Sequence, residues 1–191
     1  LALSDEKDIA AYGKKRANQD LAGSLKDGRI FDFKSWQGGG LESLPETQRL
    51  MLSSLSEQTN PKKTENLINL GRLLISHGFA PESRGYFDLA QQFTPQIVEN
   101  PEFLALQGAS ESLSGNYATA FADLSLPALQ NIPEIAAWRS FALAGLDDWQ
   151  QAGKSLNDPL PLLQSYPDSL AWPLGLKFTE TALRAGNTPL A

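Results

Sequence analysis

Apolar residues recur along most of this chain at helical spacing, and one short stretch breaks the rule. Residues 5 to 22 carry Ile9, Tyr12 and Leu21 on one helical face, and "PETQRLMLSSLSEQ" from Pro45 predicts a second amphipathic helix. Further on, "ENLINLGRLLISHG" sets Leu67, Leu70 and Leu74 along one face, and "GYFDLAQQFTP" spaces Phe87, Ala90 and Pro95 by three and five residues. The exception is "DGRIFDFKSWQGGG", which has a turn at Asp27-Gly28, Ile30, Asp32 and Lys34 alternating against Phe31, Phe33 and Trp36, and glycines at 38 to 40. That alternation predicts a short strand or an extended arm. An arm lying along the helices is preferred, because no partner strand is evident. Its aromatics would be costly in water, so it is expected to dock.

Proline and glycine punctuate the helices. Asn60-Pro61, Asn100-Pro101 and Ile132-Pro133 each put Pro in a first turn, where its missing N–H is not needed, and two of them put an Asn cap before it. Gly78, Gly115 and Gly145, or residues beside them, are expected to close the preceding helices in a left-handed conformation. Pro127 should end or kink the helix it follows. Gly71, Gly108, Ala90, Ala120 and Ala152 are the small residues that would let paired helices approach to about 8–10 Å, with Phe87 filling the space beside them.

These positions resemble the tetratricopeptide repeat, whose period is about 34 residues. Residues 64–97 follow its pattern of early apolar residues, a central small residue and then small, aromatic, Ala and Pro, except that Ser83 stands where Ala is usual. Setting Gly108 on Gly71 brings Leu104 under Leu67, Ala120 under Ser83 and Leu124 under Phe87. A third unit aligns Ser140, Leu143, Ala152 and Leu156, with Trp149 matching Tyr117. The resemblance implies an all-α chain: a right-handed α-solenoid of three to four hairpins, at about 64–97, 101–134, 133–166 and a partial 167–191. Residues 1–60 would precede residues 61–191 as N-terminal helices with the extended arm at 27–40.

In such arrays the first helices line a concave groove, here implied at Asn69, Arg72 and Ser76, then Leu106, Ala109 and Leu113, then Trp138, Phe141 and Gly145. The expected partner is a peptide or protein segment, with Asn69, Arg72, Gln107, Trp138, Arg139 and Phe141 as contacts, and the solenoid ends as a route to self-association. Ile68, Ala105 and Ala137 stand where a carboxylate clamp would place its first polar residues, which disfavours a chaperone-tail receptor. Arm and repeats together also resemble large exported proteobacterial tetratricopeptide proteins, which tilts the expected location to the bacterial envelope. The rival reading is a carbohydrate-handling module of exopolysaccharide secretion or of peptidoglycan-cleaving enzymes, contacted through Trp138, Arg139 and Phe141.

Charge and chemistry narrow this further. With a net charge of −6 and a sequence pI near 4.8, the chain lacks the basic face that a nucleic-acid backbone requires. Lys14-Lys15-Arg16 reads as a solvated helix face. No apolar run reaches the roughly 18 residues of a membrane span, and the absence of cysteine removes disulfides, thiolate catalysis and the usual zinc sites. His77, the single histidine, sits where a cation favours the end of a helix. Ser4-Asp5-Glu6-Lys7 lacks the companion motifs of acyl-transfer enzymes, Gly38-Gly39-Gly40 lacks the Lys-Ser/Thr of a phosphate loop, and Asp147-Asp148 reads as helix N-terminal charge. The expectation is a chain with no catalytic site, metal or cofactor. Its opening at Leu1 suggests a processed product or a fragment.

Overall fold

A computed structural model of the chain describes residues 29–186, and among these every regular element is helical, with no strand. The helix expected over residues 5–22, the Lys14 and Ser4 motifs and the Asp27-Gly28 turn lie outside the described residues. The α-helices are α1 (Phe33–Trp36), α2 (Leu44–Ser54), α3 (Asn60–Ser76), α4 (Ala80–Phe93), α5 (Pro101–Leu113), α6 (Tyr117–Leu124), α7 (Pro133–Gly145), α8 (Trp149–Ser155), α9 (Leu160–Ser165) and α10 (Asp168–Arg184). Short 3-10 turns cover Leu41–Ser43, Leu55–Glu57, Pro95–Glu99 and Pro127–Leu129.

Consecutive helices pair. α3 packs on α4, α5 on α6 and α7 on α8, while α4 and α6 hand each pair on to the next. On the other side α3 meets α5, α5 meets α7, and α7 meets α10, which also crosses α8. Ser169 Oγ at the start of α10 donates to the Ser76 carbonyl at the end of α3 at 2.7 Å, so the first and last of these long helices touch at one edge.

Close approach within each pair follows from the small residues. A Cβ added at Gly71 would lie 2.2 Å from the Phe87 ring, and one at Gly108 would lie 2.6 Å from Leu124, so a side chain of the second helix rests directly on the backbone of the first. In the third pair Ser140 Oγ donates to the Ala152 carbonyl at 2.8 Å. Ser83, Ala120 and Ala152 are all fully buried.

Helix ends follow the punctuation with two corrections. Gly78 and Gly115 take the left-handed conformation, at φ +89° and +83°, but the third such residue is Asp147 at φ +62° rather than Gly145. Gly145 remains in α7 for a different reason: a Cβ there would come within 2.3 Å of the Tyr117 ring. Asn100 caps α5 by accepting from the Glu102 N–H at 2.9 Å, whereas Asn60 lies inside α3, one residue past the cap position held by Thr59. Asn100→Ala should therefore cost about 1 kcal/mol in urea denaturation, and Asn60→Ala should stay within about 0.5 kcal/mol. α6 stops at Leu124 and a 3-10 turn opens at Pro127, as the proline requires.

One hydrophobic core runs from Ile30 and Phe31 through Phe87, Leu106 and Trp138 to Phe178. Trp149 is half-buried against a separate small cluster of Leu143, Ala144 and Ala152, with the Arg184 guanidinium 4.5 Å above its ring centre.

Candidate functional site

The arm docks on α3 and α7. Residues 29 to 32 form no regular element, and Asp32 then caps α1, its Oδ1 accepting from the Ser35 N–H at 3.3 Å. This cap interrupts the predicted alternation: Ile30, Phe31 and Phe33 are all buried, while Asp32 and Lys34 remain exposed. Phe33 meets the Tyr166 ring edge-on with centroids 4.9 Å apart, and Phe31 meets Trp138 edge-on at 6.0 Å. From Trp138 the aromatic contacts continue to Phe141 and on to Phe178, at 6.2 and 6.5 Å.

A buried carboxylate fixes the arm's backbone. Glu134, in the first turn of α7, receives the N–H groups of both Ile30 (2.5 Å) and Phe31 (3.0 Å) on Oε2. Its Oε1 accepts from the Tyr166 hydroxyl at 2.5 Å, and that hydroxyl in turn accepts from Trp138 Nε1 at 3.0 Å. Each buried donor in the group thus has a partner, the condition for a polar network to survive inside a core. At the far end Gln37 Nε2 donates to the Ser76 carbonyl (3.0 Å) and His77 Nε2 donates to the Gln37 carbonyl (3.2 Å). His77 holds the C-cap position of α3, and its ring also secures the arm.

Burial pushes the Glu134 carboxyl above its ordinary value of 4.5, against the lowering effect of the Tyr166 and backbone hydrogen bonds. A raised carboxyl binds protons more tightly in the folded state, so its stabilising contribution is complete below 4.5 and disappears as the pH rises through the higher folded value. Relative to Glu134→Gln, which cannot titrate, the wild type should gain stability as the pH falls toward that window. A pH-independent difference between the two in denaturant titrations would contradict this.

Of the six residues the sequence nominated, three meet at this site. Trp138 is fully buried and Phe141 nearly so, both against aromatic neighbours rather than open to a partner. Arg72 stacks its guanidinium over Trp36 at 5.2 Å, pairs with Glu102 and donates to Asn69 Oδ1 at 2.9 Å, so Asn69 reaches the arm only through Arg72. Gln107 is occupied elsewhere, bonding Gln91 of α4 at 3.1 Å. Arg139 faces away and seals the Leu124 and Gln130 carbonyls at 3.0 and 3.3 Å. Trp138 and Arg139 are adjacent on one helix and necessarily point to different sides.

Sequence reasoning missed Glu134 and Tyr166. Glu134 follows Pro133 as Glu102 follows Pro101, and both read as first-turn acids favoured by the helix dipole. Two clefts flank the docked arm. One, of about 290 Å³, lies among Arg29, Glu134, Ala137, Asp158 and Leu162, and the other lies between Lys34, Gln37 and Tyr166. Among the described residues no three His, Cys, Asp or Glu side chains are placed to hold a metal ion, and no helix is long and apolar enough to cross a membrane. No protein-family model matches the chain, and neither a curated protein nor a solved structure matches it.

Proposed function

We propose that this protein is a non-enzymatic interaction scaffold: a right-handed α-solenoid of tetratricopeptide-like hairpins that binds a peptide or protein segment on its concave face. The observation that carries this reading is that the helices around α7 already grip a stretch of polypeptide outside the hairpins, with one carboxylate on two backbone amides and aromatic rings around two side chains. Backbone amides are common to every protein segment, and ring pockets select among side chains. The equivalent contacts Gly71 on Phe87 and Gly108 on Leu124 support a repeating hairpin. Arg72, bonded to Asn69, stacks over Trp36 at the edge of the gripped stretch, and Trp138 lies against Phe31 and Phe33; Gln107, bonded to Gln91, stays outside it.

The carbohydrate reading depends on open aromatic faces at Trp138 and Phe141 and on a free Arg139. Both rings are buried, and Arg139 is engaged by backbone carbonyls, so the peptide reading is favoured. A screen of the full chain against a peptide array and a glycan array, with bound ligands mapped by photo-crosslinking, tests the choice. Peptides crosslinked to α3, α5 or α7 support it. Glycans bound in their absence would overturn it.

A further inference from the structure

The arm's contacts divide into those that read backbone and those that read side chains. Glu134 Oε2 takes two consecutive amides, which demands an N–H at both positions and excludes proline from either. Ile30, Phe31 and Phe33 are enclosed, whereas Asp32 between them is exposed and caps α1 through its carboxylate. Trp36 adds a third ring under the Arg72 guanidinium. The site thus accepts a segment of pattern aliphatic, aromatic, helix-capping residue, aromatic, with free amides on the first two and a helical turn opening at the last.

Beyond Gln37 the arm's C-terminal tether is exposed. Gly38, Gly39 and Gly40 are all exposed, Gly38 adopts φ +62° with no atom within 4 Å of its Cβ position, and the following Leu41 is also exposed. No buried side chain lies between Phe33 and Leu44, so on its C-terminal side the arm is joined to α2 through exposed glycines about which it can rotate.

We propose that residues 29–37 are a pseudo-ligand: they occupy in cis a site whose partner is a peptide of this aliphatic–aromatic–capping–aromatic pattern on another protein, and that partner displaces the arm. This rests on the scaffold reading and gives its ligand a sequence. A tethered competitor acts at an effective concentration on the order of millimolar, so the intact arm masks the site against weak segments and yields only to strong or multivalent ones.

The test uses the full chain and a fluorescent peptide of the arm's own sequence, RIFDFKSWQ. A Phe31→Ser, Phe33→Ser variant, which weakens the arm and leaves the helices of the site intact, should bind the peptide at least about thirtyfold more tightly than wild type, because its cis competitor is lost. Peptides with proline in place of the first Ile or the first Phe should bind at least about tenfold more weakly. Equal binding by wild type and a folded variant, or indifference to proline, overturns the proposal. If the variant fails to fold, Lys34→Cys provides a unique labelling site in a chain without cysteine. Millimolar peptide should then change the label's mobility, and no change overturns the proposal. Wild-type dimers with exchanged arms and no peptide binding would make a second copy the occupant and also overturn it. Array peptides that crosslink elsewhere while the label stays still would leave the scaffold reading standing and remove this one.

Discussion

Glu134→Ala should lower the unfolding free energy by about 2–5 kcal/mol, a large loss for one side chain near a helix end. The carboxylate is the acceptor for the buried amides of Ile30 and Phe31 and for the Tyr166 hydroxyl, and alanine leaves all three donors without a partner. Glu134→Gln keeps an acceptor for the amides and relieves the burial of a charge, so it should cost about 1 kcal/mol. Urea denaturation of the two variants separates hydrogen-bond loss from charge effects. If both cost the same, the carboxylate matters as a charge and not as the arm's acceptor.

Trp138→Ala should cost about 3–5 kcal/mol, because the indole is fully buried and removing it leaves a cavity ringed by Phe31, Phe33, Phe141 and Tyr166. It also removes the hydrogen bond that orients Tyr166 toward Glu134, so the arm should loosen before the helix pairs do. Trp172, on α10, is 76% exposed, and Trp172→Ala should stay within about 0.5 kcal/mol. Comparable losses at the two tryptophans in thermal or urea unfolding would mean that the burial assigned to Trp138 is wrong.

Helices were legible in the sequence because their limits are set by local chemistry. Proline in the first turns, Gly78 and Gly115 beyond the ends, and Pro127 after α6 act within a few residues of where they stand. Small residues at Gly71 and Gly108 marked the close contacts correctly, since only a missing side chain admits Phe87 or Leu124. The inner site was less legible because its pairs are remote: Glu134 meets Ile30 across 104 positions. The repeat resemblance implied a groove position for Trp138 but carried no information about what covers it. The aromatic arm announced that it must dock, yet the short helix induced by the Asp32 cap was hidden in an alternating pattern. Asp147 took the turn expected near Gly145 because α7 runs to the point where Tyr117 demands a glycine within the helix.

The most direct measurement of whether the arm docks against α7 is amide hydrogen exchange at Ile30 and Phe31 in the wild-type chain. Both amides point at a buried carboxylate and should be protected by about a thousandfold or more, with protection lost together in Glu134→Ala. Exchange of these two amides at the rate of an unstructured peptide, while the amides of α3 and α7 remain protected, would contradict the docked arm and with it the account of the site.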